Sequence, residues 1–182
     1  MKARILMKLK ENMNNFVSGE KLSVELGISR TAVWKYINEL REDGYEILSS
    51  SKKGYKLGSI PDIINLFEIS QGLDTQIIGS DIKYFDTIDS TNNYAKEIAQ
   101  ESCKDGTVVV ADTQTSGRGR LGRSWSSPRG KGIWMSVGLR PEIPPYDVQV
   151  ITLAASVAIV QAIRDATCIQ TQIKWPNDIL LD

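Results

Sequence analysis

A chain of 182 residues with 41% apolar side chains is long enough to bury a core in one or two domains. It contains no histidine, which excludes Ser-His-Asp and Cys-His triads, zincins and imidazole proton shuttles, and its two cysteines, Cys103 and Cys168, lack CxxC spacing, which leaves no disulfide framework or cysteine zinc site. The net charge of zero divides unevenly: residues 1–60 carry 11 basic and 7 acidic side chains against 11 and 15 in residues 61–182, so a modestly basic first part, suited to polyanion contact, precedes an acidic one.

From Lys2 to Met13, Ile5, Leu6 and Leu9 fall at helical spacing. This predicts a first helix that leads straight from a charged N-terminus, with no apolar signal core for export. Gly19 to Leu26 reads as a short second helix stopped by Gly27, and Ser29 caps a third that runs to about Asp43 with Gly44 as its end. In the third helix Val33, Ile37 and Leu40 line one face, leaving Arg30, Thr31, Trp34, Lys35 and Asn38 to the outside. Tyr45–Leu48 and Tyr55–Leu57 then flank a turn with Lys52 and Lys53 at its tip, which reads as a β-hairpin. Three helices and a basic hairpin form a winged helix-turn-helix pattern over residues 1–58, in which Ser29, Arg30, Thr31, Trp34 and Lys35 face the major groove and Lys52 and Lys53 face phosphate. The same pattern also serves protein contact or dimerisation. Residues 59–64, with Pro61, read as a linker.

Residues 65–182 alternate strands and helices, a mixed α/β (α+β) pattern. Strands are predicted at 82–86, 107–111, 133–139 and 169–175, and helices at 92–101 and 146–166. The last helix is apolar nearly all round and is expected in the core. Its apolar run, 151–163, is shorter than the roughly 20 residues of a bilayer span, so no membrane partner is expected. A cytoplasmic protein with reduced, buried thiols follows from these signals.

The segment Gly117-Arg118-Gly119-Arg120-Leu121-Gly122-Arg123-Ser124-Trp125 threads three arginines between glycines, and no acidic residue occurs between Asp112 and Glu142. Glycine lets backbone approach a ligand closely, and the arginine fork matches carboxylate and phosphate oxygens. GxGxxG is satisfied here, but the dinucleotide turn needs a strand immediately before it and a helix opening within it, whereas Pro128 and Gly130 follow. No GK[ST] follows for a Walker A loop. A long, flexible, arginine-rich loop remains, either an anion grip, with Trp125 offering a face to a planar group, or a solvated surface loop. Asp89-Ser90-Thr91-Asn92 precedes a helix, where its hydroxyls and amide can cap free N–H groups or bind a small polar head. Lys174-Trp175-Pro176-Asn177-Asp178 ends a strand as a turn that also gathers a cation, an amide and a carboxylate.

Together DSTN at 89–92, TQTSGRGRLGRSW at 113–125 and KWPND at 174–178 resemble the bacterial biotin-protein ligases, and the winged helix in front resembles the bifunctional members that also repress biotin genes. The resemblance implies a winged helix followed by part of a class II synthetase-like ligase sheet. It also implies two half-reactions: biotin and MgATP give biotinyl-5'-adenylate, and a lysine of a biotin carboxyl carrier protein then takes the biotinyl group. Adenylation depends on charge neutralisation and positioning more than on proton transfer, which suits a chain without histidine. By resemblance Ser90, Thr91, Asn92, Gln114 and Gly117 serve biotin, and Arg118 and Arg120 hold its carboxylate and the phosphates. Arg123, Trp125, Asn177 and Asp178 surround the adenylate, and Lys174 joins Arg118 and Arg120 in catalysis. Mg2+ arrives with ATP, and no protein metal ligand is assigned. The adenylate would also favour a homodimer that binds operator DNA. The family pattern continues past Asp182 through a further ligand-contacting lysine strand and a small C-terminal β domain, so weak or no ligase activity is expected of these 182 residues alone. Two rivals stay open: a non-enzymatic biotin-sensing transcription factor, which would release no pyrophosphate, and a lipoate-type ligase.

Overall fold

The computed structural model describes residues 1–181, without the side chain of Arg120. Its residues group into two compact units, one of Met1–Leu139 and one from Arg140 onward.

The first unit begins with α1 (Lys2–Glu11), α2 (Gly19–Leu26) and α3 (Arg30–Glu42), followed by the antiparallel hairpin β1 (Glu46–Ser50) and β2 (Gly54–Ser59). The apolar spacing read from the sequence is the spacing that is buried: Ile5, Leu6, Leu9, Leu22, Val33, Ile37, Leu40 and Leu57 are all at most 1% exposed. Each such side chain contributes roughly 1.5–3 kcal/mol on burial. Ser18 and Ser29 cap α2 and α3 by accepting from the Lys21 and Ala32 N–H groups, and Gly27 closes α2 in the left-handed conformation at φ 66°. Arg41 fixes the hairpin to α3 by donating to the Ile47 carbonyl at 3.1 and 2.7 Å.

A short helix that the sequence reading lacked, α4 (Leu66–Ser70), follows. Asn65 caps it, and Phe67 packs against the winged-helix core. Glu68 receives Lys10 at 2.6 Å and the Tyr45 hydroxyl at 2.6 Å.

Next comes a three-stranded sheet in the order β3 (Ile82–Phe85), β4 (Thr107–Ala111), β5 (Trp134–Gly138), with β3 parallel and β5 antiparallel to β4. The central strand, Thr-Val-Val-Val-Ala, is buried throughout, as a β-branched run flanked on both edges should be. Helix α5 (Thr91–Gln100) crosses between β3 and β4 and packs on β4 and β5, with Tyr94 meeting Phe85 edge to face at 4.8 Å.

The second unit holds α6 (Gln149–Thr167) and the antiparallel hairpin β6 (Thr171–Lys174) and β7 (Asp178–Leu181), the latter strand again unforeseen. Three expectations are corrected here. Helix α6 is not a core helix, since Ser156 is its one buried residue and Val150, Val157 and Ile159 are at least half exposed. The physical reason is local: α6 packs along β6 and β7, and a two-stranded hairpin covers a single side of an apolar cylinder. The argument from length also changes, because the helical stretch Pro145–Thr167 is 23 residues long and holds an 18-residue window of mean hydropathy 1.6, a length and composition that a bilayer span and a core helix share. Cys168, expected to be buried, is exposed and closes α6 at φ 60°, while Cys103 is half-buried.

Candidate functional site

The arginine-glycine segment is not an irregular loop. Trp125 N–H donates to the Gly117 carbonyl at 2.8 Å, and Gly119 N–H donates to the Arg123 carbonyl at 2.8 Å, so residues 117–125 form a narrow two-stranded ribbon. Its tip, Arg120–Gly122, is a single 3-10 turn with Leu121 at φ 56° and Gly122 at φ 75°. Gly117 is buried and admits no side chain: an added Cβ would lie 2.4 Å from the Trp125 carbonyl oxygen and 2.7 Å from Ser127 Oγ. The glycine is therefore a packing requirement, whereas around Gly119 the nearest atom is 3.4 Å away.

Below the ribbon a hydrogen-bonded network ties three elements. Gln114 Nε2 donates to Ser127 Oγ at 2.9 Å, and Gln114 Oε1 accepts from Thr91 N–H at 2.8 Å and from Thr91 Oγ1 at 3.0 Å. Ser136 on β5 donates to Thr91 Oγ1 at 3.0 Å. Thr91 and Gln114 are thus engaged with each other, and the start of α5 is satisfied by a glutamine 23 residues downstream. Ser90 occupies the N-cap position of α5 yet its hydroxyl does not cap. Ser90 is 1% exposed, and its hydroxyl has no hydrogen-bond partner among the described residues. Leaving a buried hydroxyl unpaired costs about 1–3 kcal/mol, so this group calls for a ligand partner.

Asn92 is exposed at the same helix start. The Asp89 carboxyl is held below the ordinary range chiefly by the Asn93 amide, at 2.7 Å, and then by the Ser90 N–H, with the Arg118 charge adding a smaller effect. A cavity of about 410 Å³ runs along the ribbon, lined by residues including Gln114, Gly117, Trp125 and Ser127. Arg123 and Trp125 are exposed, Trp125 by 58%. The side chain of Arg120 lies outside the described residues.

A larger cavity, about 770 Å³, lies away from the ribbon, between α1, α4 and the sheet, among Tyr45, Phe67, Tyr84, Asp112 and Arg129. The sequence reading passed over the pair at its edge, in which Arg129 meets the buried Asp112 carboxylate at 3.2 Å. It also missed Ser127 and Ser136, which carry no local sequence signal because their partners, Gln114 and Thr91, are 13 and 45 positions away.

Lys174, Asn177 and Asp178 come together in the turn of the β6–β7 hairpin. Lys174 Nζ is 3.4 Å from the Asp178 carboxylate, and Asn177 Nδ2 donates to Asp178 at 3.1 Å. Among the described residues, no group of three or more histidine, cysteine, aspartate or glutamate side chains is placed to hold a metal ion.

On the winged helix, Arg30, Thr31, Trp34 and Lys35 are exposed along α3, and Lys52 and Lys53 are exposed at the hairpin tip, with Lys53 lying 5.9 Å from the Phe16 ring centre. Ser29 spends its hydroxyl on the cap of α3.

The model of the biotin/lipoate A/B protein ligase family matches residues 84–182, and that of a helix-turn-helix domain matches residues 2–56. The bifunctional ligase/repressor BirA of Bacillus subtilis is 50% identical over 169 residues, which cover 93% of this chain and 52% of that protein. BirA of Escherichia coli is 36% identical over 166 residues, covering 91% and 50%. The chain thus spans about half the length of the curated relatives it matches. Among solved structures, a biotin protein ligase from Leishmania major in complex with biotinyl-5-AMP is similar with a TM-score of 0.50 and 28% identity, over 56% of this chain and 47% of that one.

Proposed function

The chain belongs to the biotin/lipoate A/B protein ligase family, and on that premise we propose that it takes part in ATP-dependent attachment of biotin to a carrier protein and in DNA-bound repression of biotin genes. In the first half-reaction a biotin carboxylate oxygen bonds to the α-phosphorus of ATP, the bond to the bridging oxygen breaks and pyrophosphate leaves with Mg2+. In the second, the lysine amine of a biotin carboxyl carrier protein attacks the acyl carbon, AMP departs and the amine loses its proton. Arg118 and Arg120 hold the carboxylate and phosphates, Arg123 and Trp125 flank the adenine, and Lys174, Asn177 and Asp178 serve the adenylate from their hairpin. The helix-turn-helix segment places Arg30, Thr31, Trp34, Lys35, Lys52 and Lys53 toward operator DNA, with a homodimer forming when the adenylate is bound. The setting is cytoplasmic.

The observation that carries the biotin assignment is the Ser90 hydroxyl, in a residue 1% exposed and without a partner among the described residues, beside the Thr91–Gln114 network. A ureido ring supplies a carbonyl oxygen and two N–H groups to such a site. The dithiolane of lipoate supplies neither, and would leave the hydroxyl orphaned. Calorimetric titration of biotin and lipoate, each with and without MgATP, into the chain and into Arg118→Gly tests this reading. Biotin is expected to bind and lipoate not, with Arg118→Gly weakening the ATP-dependent part. Equal binding of the two acids would overturn the biotin assignment, and equal binding by wild type and variant would remove the ribbon from the site.

A further inference from the structure

Every polar side chain on the outer face of α3 can be assigned to an internal role or to solvent, and the division falls midway along the helix. Ser29 caps the helix, and Asn38 accepts from Arg41 Nη1 at 3.1 Å. Arg41 is itself fixed to the β1 backbone. The amide oxygen of Asn38 is therefore already engaged inside the protein. Lys35 lies 4.0 Å from Glu39, one turn further on. Arg30, Thr31 and Trp34 have no side-chain partner among the described residues and cover the first turn and a half. These are the positions from which a recognition helix reaches base edges.

Trp34 stands one turn beyond Arg30 on the same face, and its indole is 58% exposed. Tyr36, two residues on, packs against the core. A large aromatic ring left in water between Arg30 and Lys35, on a module with lysines at its wing tip, has the charge surroundings of a polyanion contact and not of an apolar protein interface. In the major groove the apolar feature a ring can contact is the 5-methyl group of thymine. Resting on the DNA-binding reading above, we propose that Trp34 is a sequence-determining residue that reads thymine through its methyl group.

The test begins with the full chain, supplied with preformed biotinyl-5'-adenylate, selecting duplexes from a pool randomised over its central positions. Each thymine of the selected duplex is then replaced by deoxyuridine, which deletes one methyl and keeps every hydrogen-bonding group. At one or more positions the replacement should weaken wild-type binding roughly fourfold, the effect of one buried methyl. Trp34→Ala should bind the thymine duplex about tenfold more weakly and be indifferent to the replacement. Trp34→Phe should keep part of the sensitivity, which separates contact from folding. A selected duplex that tolerates every replacement, or a Trp34→Ala protein as sensitive as wild type, overturns the assignment and leaves DNA binding intact. Failure to enrich any sequence overturns the DNA reading, and this inference with it.

Discussion

Ser90 and Gly117 show how one atom decides whether a residue serves fold or ligand. The Ser90 hydroxyl is buried and has no partner among the described residues, a cost to the free protein that a bound ligand can offset. Ser90→Ala should therefore raise unfolding stability by about 1 kcal/mol while weakening biotin roughly tenfold. Denaturant unfolding and calorimetry on one preparation check both directions, and a variant that loses stability would place the hydroxyl in the fold. Gly117 has the opposite logic, because a methyl there would press on the Trp125 carbonyl that lies across the ribbon. Gly117→Ala is expected to cost about 1–3 kcal/mol, and Gly119→Ala much less. Equal costs at the two positions would mean that the ribbon is not held by its Gly117–Trp125 pairing. Sequence signalled both residues, since serine before a helix and glycine between arginines are local patterns. It did not signal which role each takes: the cap of α5 passes to Gln114, and only the folded chain brings that side chain to Thr91.

At the scale of elements, what was legible is what repeats within a few residues. The burial of Ile5, Leu9, Val33, Ile37 and Leu40 follows the 3.6-residue period, and the ends at Gly27 and Gly44 follow from backbone sign. Helix α4 was not legible, because five residues show no period and its anchors are far away: Lys10 is 58 positions before Glu68, and Tyr45 is 23. That polar junction has its own signature in pH. Tyr45 is 3% exposed, and its phenol is pushed up to about 12, first by burial and then by donating to the Glu68 carboxylate. Since the folded value lies above the ordinary 10, the protonated phenol stabilises the fold fully below pH 10. The contribution disappears as pH rises through about 12. A shift of this size corresponds to at most roughly 3 kcal/mol. Tyr45→Phe should flatten the loss of stability between those values, leaving the part due to Tyr84, which is also pushed up to about 12 by burial and Asp86. Urea midpoints measured across that range decide it, and identical slopes for the two proteins would remove Tyr45 from the junction.

For the molecule as a whole, an apolar sequence does not state what will cover it. The composition of α6 implies burial, and the structure leaves Val150, Leu153 and Val157 as an exposed stripe at spacings of three and four along one side of the helix. A contiguous apolar stripe in water associates with the nearest equivalent surface, and on a pure preparation that surface is another copy of the same helix. The 182-residue chain should therefore show a mass that climbs above 20.2 kDa with concentration in sedimentation experiments. This association should persist without biotin or ATP, whereas the dimer proposed for DNA binding depends on both. Leu153→Glu combined with Val157→Glu keeps good helix formers on α6 while placing charge in the stripe, and should return the 20.2 kDa species without altering biotin binding. If the unsubstituted chain stays at that mass across the concentration range, the stripe is covered within one chain, and the expectation that α6 belongs to a core would be restored.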